Sequence, residues 1–212
     1  VPYPIATGGT ISESGNYRIH TFTGDGTFVI EELGVDDNSF QMDYLVVAGG
    51  GGGFTYDGNN GGYGGGAGGY REANATYTPS SPLANPTGQV TLSAAGSFAV
   101  TVGAGGGRNG QNAEPPSTGG NSTIGFPSAI TSNGGGAGGS GGSGSGGLPT
   151  SPGGKAGNTP PFSPPQGNPG ATSPSTSPPF NGRTGGGGGG ATASGGGTGG
   201  GAGAVSTITG SS

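Results

Sequence analysis

Cysteine is absent from the 212 residues, so neither a disulfide framework nor a thiolate metal site can be built. Histidine occurs once, at His20, which excludes a multi-histidine metal centre. Charged residues make up only 7% of the chain and hydrophobic residues 26%, leaving little material for a large core. The net charge of −5 speaks against nucleic acid as a partner, because phosphate binding requires an excess of cations. No apolar run approaches the roughly 20 residues that a membrane-spanning helix needs. No stretch reads as a signal peptide, and Val1 in place of methionine is expected of a processed or excerpted chain. The few acids are unevenly placed, all except Glu114 lying at or before Glu72.

What the chain has instead is glycine. There are 59 glycines and 18 prolines, roughly a third of all residues and a level at which low-complexity disorder is the default reading. Glycine loses more conformational freedom on ordering than any other residue, so these runs need compensation if they fold. Helix is a poor answer, since glycine costs about 1 kcal/mol per residue relative to alanine. An ordinary sheet gains nothing from missing side chains. The extended helix with three residues per turn remains, and its backbone groups must bond to neighbours because it has no internal hydrogen bonds. Without Cβ atoms, such helices can pack side by side. No strict third-residue glycine is sustained here, so a bundle within one chain fits better than a collagen-like trimer.

The stretch 43–69 organises the rest. Asp43-Tyr44-Leu45-Val46-Val47-Ala48 reads as a buried β-strand and passes directly into glycines 49–53, then 61–69 with Tyr63 and Ala67 interposed. Near-complete lateral hydrogen bonding of residues 61–69 is the expectation. Glycine runs return at 103–107, 134–147, 185–190 and 195–203. Residues 17–23 and 27–30 read as a hairpin across Gly24-Asp25-Gly26, and residues 89–93 and 97–102 as a second. Residues 122–124 and 129–131 could add a weak pair of strands, whereas 70–89 carries loop chemistry. Three regions follow: an extended lead-in at 1–15, a β-rich part at 16–133, and a Gly/Pro-rich part at 134–212 with a long Pro-rich loop at about 148–182.

Little catalytic chemistry is legible. His20 lies in a strand beside Arg18 with no spaced nucleophile, which fits a structural histidine. Glu31-Glu32 and Asp36-Asp37 could ligate calcium, but no loop or repeat spacing supports it and a solvated acidic turn accounts for them. Gly153-Gly154-Lys155 is followed by Ala156 where a phosphate loop needs a hydroxyl, and Gly103-Ala104-Gly105 lacks the helix of a dinucleotide site. No cofactor, metal or catalytic residue is therefore expected, and the protein reads as non-enzymatic. Asn74 and Asn121 head glycosylation sequons, meaningful only in a secretory host.

The tyrosines offer more. Tyr56, Asn59, Asn60, Tyr63, Tyr70, Arg71 and Tyr77 mix aromatic, amide and guanidinium groups with glycine, the composition of loop-based binding surfaces. Receptor or glycan contact is one reading; rings capping the ends of glycine layers is the other. Arg108 and Asn109 in the next loop are further contact candidates.

Several stretches resemble the glycine-rich domain of bacteriophage tail-fibre and related virion proteins. They are residues 17–23 (Tyr-Arg-Ile-His-Thr-Phe-Thr), Gly26-Thr27-Phe28, the strand-to-glycine junctions at 43–53 and 100–106, and Gly119-Gly120-Asn121-Ser122-Thr123 leading to residues 133–136. The resemblance spans about residues 8–147. It implies a virion or extracellular structural protein, a tail-fibre or adhesin module whose loops meet a bacterial surface polysaccharide or outer-membrane protein. The expected fold is all-β, a small antiparallel, jelly-roll-like β-sandwich continuing into packed polyglycine-II-type helices, with essentially no α-helix. Other fibre proteins or copies of itself are further expected partners. A self-assembling filament subunit using strand addition is the alternative. An ice-binding bundle would need a regular Thr or Ala face, which these runs do not supply.

Overall fold

Valine, isoleucine and the aromatic residues lie mostly before residue 133, and the strands form there. The computed structural model describes residues 4–34, 40–55, 61–74, 88–108, 115–174, 184–206 and 208. Among these residues the regular structure is all antiparallel β, without a helix. In chain order the strands are β1 (Ile5–Thr7), β2 (Thr10–Ser14), β3 (Tyr17–Thr21), β4 (Gly26–Glu32), β5 (Phe40–Met42), β6 (Tyr44–Val47), β7 (Phe54–Thr55), β8 (Gly62–Tyr63), β9 (Tyr70–Ala73), β10 (Val90–Leu92), β11 (Gly96–Thr101), β12 (Ser122–Ile124) and β13 (Ile130–Ser132).

The largest sheet runs β1-β4-β11-β12-β13, and four two-stranded ribbons pair β2 with β3, β5 with β10, β6 with β9, and β7 with β8. One core joins Ala6, Phe28, Ile30, Val100 and Ile130 of the large sheet to Val46, Leu92 and Phe126. Phe28 lies opposite Phe98 in the β4–β11 register, and both rings meet Phe126 edge-on, at 6.3 and 5.0 Å. Burying each such side chain contributes about 1.5–3 kcal/mol.

Both expected hairpins are corrected by the pairing. β3 turns back on β2 through Gly15, whose φ of 57° suits the first position of a primed two-residue turn. β4 pairs with β1 and β11 instead. Asp25 explains the divergence, since its carboxylate accepts the N–H of Val102 at 2.8 Å and ties the turn to the end of β11. Likewise β10 pairs with β5 while β11 pairs with β4 and β12. The expected pair at 122–132 is present as β12–β13. The extended lead-in supplies β1 and β2. The loop assigned to 70–89 begins with a buried strand, β9, held along the whole of β6. β6 itself is only half enclosed: Val46 enters the core while Val47 is 50% exposed.

Beyond the strands the backbone takes over. Ala48 and Gly51 donate to Gly69 and Gly66, and Gly49 and Gly52 donate to Gly120 and Ser117. Gly64 and Ala67 donate to Gly186 and Gly189, whereas Gly66 and Gly69 donate to Gly136 and Asn133. Gly146 and Ser143 return bonds to the carbonyls of Gly64 and Ala67. In every pair the donors are three residues apart and so are the acceptors, so each neighbour is met once per three residues. Within residues 64–69 the lateral bonds are donated by Gly64, Gly66, Ala67 and Gly69.

Close approach is the reason these positions are glycine. A Cβ on Gly66 would stand 2.1 Å from the Ser143 carbonyl oxygen, and one on Gly146 would stand 1.9 Å from that of Gly186. Alanine is accepted at Ala67, where the methyl faces outward. In the Pro-rich region, where it is described, Lys155 and Gly170, then Pro152 and Ser173, bond to each other, and the segment is laced to residues 141–147 and 187–190.

Candidate contact surface at the ends of the glycine runs

The bonding register fixes which residues share an end. Successive runs leave the sheets and return: 48–53 outward, 62–69 back, 133–136 and 142–147 outward, 185–190 back. Their outer turnings carry the β7–β8 ribbon, the start of the 108–116 segment and the turn at Leu148 and Ser151. Their inner turnings lie against β9.

Tyr63 is at the outer end. Its ring stacks on Phe54 across the β7–β8 ribbon, with centroids 5.4 Å apart and planes 16° from parallel. Burial raises its phenol pKa above the ordinary value. Arg108 is exposed on the same end, its backbone nitrogen lying beside Gly52. Tyr56, Asn59, Asn60, Tyr77 and Asn109 lie outside the described residues.

Tyr70 and Arg71 sit at the inner end, seven residues and about 20 Å of extended chain from Tyr63. Tyr70 is 7% exposed and packs with Ala191, Leu45 and Ala204. Its hydroxyl donates to Glu72 Oε2, while Ser206 Oγ donates to Glu72 Oε1 at 2.6 Å. Burial thus withdraws Tyr70 from any contact surface in this arrangement. Arg71 is half-buried, donating to the Thr131 carbonyl at 3.2 Å and lying 4.3 Å over the Phe162 ring. It also opposes the rise that burial imposes on the Tyr44 pKa. Asn74 is fully buried, which removes it as a glycan acceptor in the folded chain, whereas Asn121 is exposed and its Oδ1 accepts the Gly134 N–H.

The sequence candidates are therefore divided between two ends. Phe54, which opens the break in the first glycine run, joins Tyr63 at the outer end, as expected of the residues that interrupt that run. Gln166 and Asn158 were unforeseen. Gln166 is fully buried, and Asn158 Oδ1 accepts the N–H groups of Phe162 and Gln166, folding the Pro-rich segment onto the glycine runs. His20 Nδ1 lies 2.9 Å from the Gly8 carbonyl oxygen, and its ring meets Phe28 edge-on at 5.0 Å, a packing role at the foot of the β2–β3 ribbon. Among the described residues no three His, Asp or Glu side chains gather closely enough to hold a metal ion.

The family profile described as a glycine-rich domain matches residues 23–212. The chain belongs to the glycine-rich domain family. Neither a curated protein nor a solved structure matches it. The glycine-rich domain thus reaches past residue 147, where the sequence resemblance stopped, through the last glycine run. It begins after β3, so the β2–β3 ribbon precedes the matched region.

Proposed function

We propose that this glycine-rich domain is a non-enzymatic structural module of a phage tail fibre or adhesin, working outside the cell or on the virion. Its strands form a small sandwich-like base, and its glycine runs form a bundle of polyglycine-II helices. The observation that carries this reading is the three-residue register of lateral bonds that links residues 48–52, 64–69, 133–147 and 185–190. That period equals the residues per turn of the extended helix. Such a bundle orders its outer turnings without needing a side-chain core beneath them, which suits a rod that displays loops. Phe54, Tyr63 and Arg108 lie at the displayed end, where an aromatic and a guanidinium group would meet a bacterial polysaccharide or outer-membrane protein.

The test is binding of the purified chain to bacterial cells bearing or stripped of surface polysaccharide. Tyr63→Ala and Phe54→Ala should each lose binding while keeping the wild-type thermal transition. Wild-type binding that survives both substitutions would remove the outer end from the contact surface, and absence of binding to any bacterial surface would overturn the adhesin reading.

A filament subunit is the second reading, favoured by one observation. The β2–β3 ribbon exposes Ile11 and Tyr17 and pairs with no third strand among the described residues. Two-stranded ribbons are marginal alone and gain from strand addition. Concentration-dependent assembly that is abolished by deleting residues 1–15 would favour it over the adhesin.

A further inference from the structure

Asn133 and Gly134 form an Asn–Gly pair at the point where β13 passes into a glycine run. In a free chain this is the dipeptide most open to deamidation, because glycine places no Cβ in the way. The Gly134 nitrogen bonds to Asn133 Cγ, its proton leaves with the side-chain nitrogen as ammonia, and a succinimide closes. Water then opens the ring at either carbonyl, leaving aspartate or isoaspartate with no change of oxidation state.

Here both reacting groups are held elsewhere. The Gly134 N–H donates to Asn121 Oδ1 at 2.9 Å. Asn133 Oδ1 accepts from Gln166 Nε2 at 3.2 Å, and the Asn133 N–H donates to Gln166 Oε1 at 2.9 Å. The Asn133 carbonyl accepts the Gly69 N–H at 2.7 Å, so the backbone on both sides of the side chain is fixed. Gln166 is itself locked. Its Nε2 also donates to the Pro160 carbonyl, its N–H donates to Asn158 Oδ1, and its carbonyl accepts the Tyr70 N–H.

We propose that Asn133–Gly134 is a latent deamidation site that the fold holds shut, and that it opens when the 158–166 segment leaves the glycine runs. Conversion would place a carboxylate, or an extra backbone methylene, at the head of the run that bonds Gly49, Gly66, Gly69 and Gly119. A brief opening would then become an irreversible loss of register. Durability of the outer bundle is thus guarded chemically by one buried amide, Gln166, and one exposed amide, Asn121. This holds whether or not the chain is an adhesin.

Ageing the full chain in mildly alkaline buffer, with aspartate and isoaspartate at position 133 read by peptide mapping, tests it. Native wild type should convert roughly 100-fold more slowly than the chain in denaturant, the size of effect that misplacing reacting atoms by an ångström produces. Asn121→Ala and Gln166→Met should each speed conversion about tenfold. Asn121→Asp, which keeps the oxygen acceptor for Gly134, should remain slow. Native wild type converting at the denatured rate would overturn the proposal. So would an Asn121→Ala chain that keeps its circular dichroism and converts no faster than wild type.

Discussion

The two parts of this molecule are held by opposite means. Around Ile30, Phe28 and Val100, side chains from the large sheet, β6 and β10 fill a common interior, and the backbone merely positions them. Between Gly64 and Gly69 the only side chain is the Ala67 methyl, which faces outward, and the packed surface is the backbone itself. Each lateral hydrogen bond there nets about 0.5–1.5 kcal/mol. Ordering a glycine costs a comparable amount, so the runs persist through many bonds made in common. The sheet part is therefore damaged by making residues smaller, and the glycine part by making them larger.

Enlarging a glycine should have the greatest effect. Gly66→Ala places a Cβ 2.1 Å from the Ser143 carbonyl oxygen, and no flexible side chain can yield. A loss above about 3 kcal/mol is expected, beyond ordinary overpacking because backbone must move. Gly139→Ala is its control, since nothing lies within 4 Å of a Cβ there. That change should raise stability by about 0.4–1 kcal/mol through the unfolded chain. Urea denaturation of the pair separates the two outcomes; equal midpoints would mean that the runs are not close-packed.

Ile30→Ala makes the opposite cut. Ile30 is 1% exposed at the centre of the core, so its truncation should cost about 3 kcal/mol with an unchanged denaturant slope. Hydrogen exchange sharpens the comparison. If both parts unfold together, amides of Gly66 and Gly69 should lose protection in step with those of β11. Runs that keep their protection would show that the backbone lattice stands without the core.

How far this was legible differs between the parts in the same way. The strand at 44–47 and the glycine runs announce themselves, because β-branched residues and missing side chains each restrict the backbone. Apart from β12–β13, strand partners were not legible. The carboxylate of Asp25 on the Val102 N–H and the positive φ of Gly8 and Gly9 redirect β3 and β4, and neither leaves a pattern in the alternation. Tyr70 read as a surface ring because its neighbours are polar. It is buried because Ser206, 134 positions after Glu72, closes over the same carboxylate, a contact no local window contains. Gln166 was hidden among prolines for the same reason, its ligands coming from Asn133 and Tyr70.

Smaller effects distinguish two serines in one run. Ser143 Oγ donates to the Gly190 carbonyl at 3.1 Å, whereas Ser145 Oγ is buried with no partner among the described residues. Ser143→Ala should cost about 1 kcal/mol and Ser145→Ala nothing or less, because only the first removes a bond. Thermal melts of the two variants check this. A matching loss at Ser145 would reveal a polar neighbour for that hydroxyl.

Alkaline titration probes each part through one tyrosine and has the smallest expected effect. Burial raises the phenol pKa of Tyr44, beside the core, with Arg71 opposing, and burial raises that of Tyr63 on the outer ribbon. In the unfolded chain both ionise near about pH 10. Above that pH the unfolded state has released protons that the folded state still holds, so the folded state loses ground. The contribution of each tyrosine is complete below its unfolded pKa and is lost as pH rises through the higher folded value. Urea midpoints should therefore be flat to about pH 9 and fall beyond it. Tyr44→Phe and Tyr63→Phe should each flatten part of that fall. If Tyr63→Phe alone changes it, the outer ribbon opens at alkaline pH independently of the core; if the two act additively on one transition, sheet and glycine runs unfold as a unit.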